Sequence, residues 1–267
     1  MKCLKLLAVV LLVTVLGVTG IAAQSLKGMS LNGATGLFSI PSGRIGWEQS
    51  SNLGLDFGYH AIISDGKAAH IPKATLSIFK LLEVSTAFDV QPENYHGARH
   101  PADFVGGLKV QLPLKKTALA LGGNFQAHNM GDDSKNRVAG QFYAAATYSG
   151  NFFEWPAETT IVFGKTFIQY NQNWDFDFGM GFDMVLFPKV FENIVHWVTD
   201  FANFSYSADA YGADARYRGV FNTGLRFDLS AIPGLNKFKF VFDVILADAF
   251  DHDRAFSLGV VFGIPIL

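Results

Sequence analysis

Asp175, Asp177 and Asp183 fall within the stretch WDFDFGMGFDMVLF, residues 174–187, at a spacing that puts all three on one face of an extended chain. That is how the ligands of a D-x-D metal site would stand. Calcium or magnesium needs several oxygens converging on a point, whereas side chains two apart on a strand lie about 7 Å from one another. The trio alone builds no cation cage, and no metal or cofactor is expected. Gly179 and Gly181 invite comparison with a phosphate loop, but the strand pattern continues past them and no helix N-terminus follows. Glycines in a strand more often mark curvature or a close approach.

Seven histidines are the next candidates: His60, His70, His96, His100, His128, His196 and His252. His252 sits between Asp251 and Asp253, and His96 and His100 share one polar segment, but no nucleophile–base spacing accompanies them. They read as loop or strand-end residues, and the chain is not expected to be an enzyme. Cys3 is the single cysteine and precedes an apolar leader, so neither thiol chemistry nor a disulfide nor a lipid anchor is expected after the leader.

A third group is Arg218, Arg226, Asp228, Lys239 and Asp243. The parity that sends Phe221, Leu225, Phe227, Phe240, Phe242 and Val244 to one face sends these five to the other. Buried charges must be paired or hydrated. Either they lock a closed interior by salt bridges, or they line a wet pore and filter solutes by charge.

These residues need elements to hold them, and the elements announce themselves by period-2 alternation. About twelve segments of roughly ten residues alternate, separated by turn-forming clusters: 52–60, 73–80, 82–90, 103–112, 118–127, 140–149, 159–167, 174–187, 202–209, 219–229, 239–248 and 254–266. One face of each is rich in Phe, Leu, Met and Tyr. The other is mostly Gly, Ala, Ser, Asn and Asp, unlike the Lys, Glu, Thr and Arg of a water-facing sheet.

Composition agrees: 26 Phe and 27 Gly in 267 residues, with only 16% charged residues and a net charge of −2. Such a balance excludes a basic nucleic-acid binder. Small polar residues suit the inside of a barrel and large apolar ones its lipid face, and only closed barrels place strands in a bilayer without unsatisfied backbone groups.

The start of the chain, with Lys2 and Lys5, an apolar block and the small exit Ile21-Ala22-Ala23, has the pattern of a cleaved signal peptide over residues 1–23. The expectation is an all-β, transmembrane, antiparallel up-and-down barrel of about twelve strands, with ten or fourteen as alternatives. Residues 51–267 would form it, in the outer membrane of a double-membraned bacterium. In residues 189–201 Phe191, Ile194, Val195, Val198 and Phe201 fall at helical spacing, which predicts one short amphipathic helix, with two short strands as the alternative.

Before the first strand, Gly33 to Ile45 reads GATGLFSIPSGRI. Its Thr35, Gly36, Leu37, Pro41, Ser42 and Arg44 match the pattern that opens YjbH-type outer-membrane proteins associated with exopolysaccharide production, and over roughly thirty residues the chain resembles that family. The resemblance implies an outer-membrane location and a role in moving or organising cell-surface polysaccharide. From the residues themselves, the segment 24–50 is expected either to fold across the inner mouth, with Arg44 as a plug residue near lumen carboxylates, or to form an ordinary extra strand.

Two functions follow. The chain is a narrow porin or export-related channel whose lumen is lined by Asp175, Asp177, Asp183, Arg218, Arg226, Asp228, Lys239 and Asp243. Alternatively it is a non-conducting structural or adhesive barrel that works through its outer loops. Either way its expected partners are outer-membrane lipid, the barrel assembly machinery and, by the resemblance, polysaccharide; it binds no nucleic acid and is a monomer.

Overall fold

The computed structural model describes residues 27–48, 50–93, 102–114, 116–128, 137–169, 175–207, 210–215, 218–251 and 254–267. Residues 1–26, with the expected signal peptide, and Trp174, His96, His100 and His252 lie outside these residues. Twelve strands follow one another around a closed antiparallel barrel. They are β1 (Leu53–Ser64), β2 (Lys67–Ile78), β3 (Leu82–Val90), β4 (Ala102–Pro113), β5 (Thr117–His128), β6 (Arg137–Phe152), β7 (Trp155–Ile168), β8 (Asp177–Val185), β9 (Val195–Ala202), β10 (Val220–Asp228), β11 (Lys239–Ala247) and β12 (Ala255–Pro265). β1 closes on β12 in the register Gly54↔Pro265 to Ile63↔Phe256, so no sheet edge is left.

Alternation decides which side chain faces where. On β11, Phe240, Phe242 and Leu246 point out and are exposed, while Lys239, Val241, Asp243 and Ile245 point in and are buried. The same parity leaves Phe57, Leu108, Leu121, Phe125, Phe142 and Phe163 uncovered on other strands. An apolar surface that encircles the molecule belongs in lipid, since soluble proteins rarely expose so much of it. No described helix is long and apolar enough to cross a membrane, and the crossing falls to the strands.

The barrel's two ends differ. Short connections, β2 to β3, β4 to β5 and β6 to β7, gather at the end that also holds the C-terminus, here called the inner end. In the tightest, Phe79 and Lys80 both adopt positive φ, 51° and 60°, the backbone of a type I′ turn that usually takes Asn-Gly.

Two expectations are corrected. Of the helix predicted over 189–201, only Pro188–Phe191 is helical (α1), and Val195–Ala202 is strand β9. Glu192 and Asn193 turn left-handed, at φ 49° and 63°, and end the helix; beyond them His196, Val198, Asp200 and Ala202 alternate inward against Trp197 and Phe201 outward. The apolar positions that matched a helical period also fit a strand of β-branched and aromatic residues, and pairing with β8 and β10 decided between them.

Of the strand predicted over 202–209, Ala202 ends β9 and none of the described residues 203–207 is in a strand. Asn203 bonds backbone at the outer end of β8, its N–H donating to Phe178 O at 2.9 Å and its Nδ2 to the O of Phe176, just before the strand, at 3.1 Å. Past that point the chain leaves the wall and enters the lumen. The strand count of twelve is kept because one segment replaces the other.

Candidate functional site

The lumen is the candidate site, and it is filled from both ends. From the inner end, residues 28–47 run up and back as a hairpin in which every residue is buried. Isolated bridges Met29↔Thr35 and Gly36↔Pro41 hold its two turns. Lys27, at its start, pairs with Asp228 at 2.9 Å near the β10–β11 connection, and Trp47, at its end, lies against Gly54 at the foot of β1. The hairpin therefore enters and leaves by the same mouth.

Sequence explains how it fits. Gly33 holds φ +91°, and a Cβ there would stand 2.8 Å from Thr86 O. At Gly28 a Cβ would lie 1.9 Å from the Arg226 guanidinium carbon. Bare backbone is what lets the hairpin approach the wall's charges.

From the outer end, the described parts of residues 203–215 fold inward. Phe204 packs edge-on to Tyr143 of β6, Gln126 donates to Tyr206 O at 3.1 Å, and the Tyr206 hydroxyl donates to Asp89 at 3.3 Å. Burial first, and the Asp89 charge second, push that hydroxyl well above the ordinary tyrosine range. Phe204, Tyr206, Ala210 and Ala213 share one apolar cluster with Leu31, Leu37, Phe38 and Ile40 of the hairpin, so the two insertions meet inside the barrel.

Beside that cluster and on toward the inner end, contacts are polar and come largely from backbone. Asp200 of β9 accepts the N–H groups of Phe38 and Ser39 at 2.9 and 2.8 Å, the Ser39 hydroxyl at 2.8 Å, and Asn222 of β10 at 2.7 Å. Glu83 of β3 accepts Thr35 N–H and hydroxyl at 2.9 and 2.6 Å, and pairs with Lys109 of β4 at 2.8 Å. Lys109 also donates to Thr35 O and Arg44 O, and Lys73 of β2 to Ser30 O at 2.8 Å. A peptide backbone carries one donor and one acceptor per residue, and the wall supplies charged partners for both.

Of the sequence-predicted residues, Arg226 is the hub. It binds Asp243 through two nitrogens at 2.8 and 3.0 Å and Asp183 at 2.9 Å, while Asp183 also meets His196 Nδ1 at 2.5 Å. Lys239 pairs with Asp56 at 2.7 Å and lies 5.1 Å from the Trp47 ring centre. Asp228 holds Lys27. Arg44 pairs with Glu158 at 3.0 Å and Glu48 at 2.9 Å and donates to Ser149. Burial works against the Arg44 charge, but Glu158 and Glu48 outweigh it and hold the guanidinium above its ordinary pKa.

The remaining three lie elsewhere. Arg218 stands at the outer mouth, paired with Asp248 at 2.5 Å and with Asp251. Asp177 accepts from Thr166 at 2.5 Å toward the outer end of the lumen, and Asp175 is exposed beyond the strand. The three aspartates of residues 174–187 thus reach three different environments. Among the described residues no group of three or more His, Cys, Asp or Glu is placed to hold a metal ion.

Sequence reasoning missed Asp200, Glu83, Lys109, Lys73 and Glu158. Parity marks Glu83 and Lys109 as inward residues of segments already recognised as strands. Asp200 lay within the stretch read as a helix, where no parity could be assigned.

Neither a known family nor a curated protein matches the sequence. Solved structures are similar in fold. The KdgM porin in complex with disordered oligogalacturonate aligns at a TM-score of 0.50 and 6% identity, over 79% of this chain and 99% of that one. The outer membrane protein Omp33 of Acinetobacter baumannii aligns at 0.47 and 12% identity, over 82% and 100%. At such identities the likeness is one of architecture: this chain is a closed transmembrane barrel of twelve antiparallel strands.

Proposed function

We propose that the protein is a narrow outer-membrane channel, porin-like or export-related, that its own N-terminal hairpin holds shut. The observation that carries this reading is the polar seam between hairpin and wall, in which Asp200, Glu83, Lys73 and Lys109 bind hairpin backbone. Charged groups withdrawn from water cost several kcal/mol each before pairing, and an apolar filling of similar volume is often as stable or more so. A barrel required only to be solid has no use for that seam. A lumen that must at times hold water does.

The resemblance of Gly33 to Ile45 to exopolysaccharide-associated barrels supports polysaccharide as a partner, and the barrel would act as a monomer inserted by the outer-membrane assembly machinery. No catalytic step is part of this reading.

Planar-bilayer recording tests it. The intact chain is expected to be silent or to flicker, and moderate urea on the inner side, enough to loosen the hairpin but not the wall, is expected to open stepwise currents. A second reading, a non-conducting barrel acting through its outer loops, is favoured by the apolar cluster that joins both insertions. Silence at every urea concentration short of barrel unfolding would establish it instead.

A further inference from the structure

Withdrawing the hairpin does not unbalance the wall evenly. Lys109 keeps Glu83, Lys239 keeps Asp56, and Arg226 keeps both Asp183 and Asp243, because these partners all belong to strands. Three wall carboxylates lose what balances them: Glu158 loses Arg44, Asp228 loses Lys27, and Asp200 loses the donors of Phe38 and Ser39 and keeps only Asn222. Against them, Lys73 loses the carbonyls of Met29 and Ser30.

The bared groups are also segregated. Glu158 stands on β7, Asp200 on β9 and Asp228 on β10, within one arc of four consecutive strands in which Asp183 of β8 and Arg226 of β10 stay paired with each other. Lys73 stands on β2 and the paired Lys109 on β4, in a different arc. Fixed charge of one sign lining a narrow, low-dielectric passage concentrates counter-ions and turns away co-ions.

We propose that the opened lumen is cation-selective: it passes cations and neutral solutes along the β7–β10 arc and rejects anions, polyanionic chains included. The inference rests on the channel reading above and specifies which solutes that channel takes.

The test is the reversal potential in asymmetric potassium chloride. Two preparations are used: the intact chain opened by urea, and a variant with residues 27–47 replaced by a Gly/Ser linker whose folding is checked by heat-dependent gel mobility. Should the linker variant fail to fold, the urea-opened chain still gives the answer. Potassium is expected to permeate several-fold better than chloride, and combining Glu158→Gln with Asp200→Asn is expected to move the ratio toward unity. Chloride preference, or no preference, would overturn this proposal and leave the channel standing. Absence of current from both preparations would remove the channel and the selectivity together.

Discussion

Two halves of the same lumen are filled in opposite ways. Toward the outer end Leu31, Leu37, Phe38 and Ile40 pack against Phe204, Tyr206, Ile62, Ile71 and Val162, as side chains do in a soluble core. Toward the inner end the same hairpin is held by Glu83, Lys109 and Glu158 through hydrogen bonds and ion pairs. An apolar contact resists water in proportion to its area and is indifferent to small slips. A charged contact demands its partner, yet it has a second good state in water. The difference teaches where the barrel is built to stay shut and where it is built to let go.

Breaking the charged half should have the largest effect. Arg226→Met strands Asp183 and Asp243 in the interior, an expected loss of about 3–5 kcal/mol, read as a lowered thermal unfolding midpoint in detergent. If this variant unfolds at the wild-type temperature, the inner half is already wet and the contrast fails.

Next comes Phe38→Ala in the apolar half, at about 3 kcal/mol for the lost burial and the cavity left behind. It should lower the urea needed to open the channel while leaving ion selectivity unchanged. A shift in reversal potential would mean that the apolar half also shapes the ion path.

Asp200→Asn keeps the shape and removes the charge that two N–H groups and a hydroxyl share, an expected 1.5–3 kcal/mol, or about 2, off the hairpin's hold. Opening at lower urea, with an unchanged unfolding midpoint for the barrel, would sharpen the division between hairpin and wall. Arg218→Ala, at the outer mouth with its side chain 37% exposed, should change stability by less than about 1 kcal/mol and leave conductance steps as they are.

Much of the wall was legible in the sequence. Period-2 alternation located eleven of the twelve strands, and it placed Arg226, Asp228, Lys239 and Asp243 on the inward face, where the structure has them buried. Residues 195–202 were not legible, because Val195, Val198 and Phe201 fall at helical spacing and as a strand put apolar residues on both faces, so that only pairing with the neighbouring strands decides.

The hairpin's partners were hidden for a different reason. Phe38 and Asp200 are separated by 162 positions, and Arg44 and Glu158 by 114. Alternation says which way a side chain points, but the distance across a lumen depends on how the whole barrel closes. Residues 203–215 were opaque too, since the Asn203 bonds that divert the chain inward look, in sequence, like a polar residue in one more strand.

The hairpin enters and leaves by one mouth, and β1 begins at Leu53, only a few positions after Glu48. A stopper on so short a tether never diffuses away: its effective concentration at the opening stays in the millimolar range. Any free molecule seeking the vacated seam must compete with that standing excess, so a weak ligand leaves the opening unguarded only briefly. Because no chain end has to be threaded back, reclosure is a docking event rather than a refolding one.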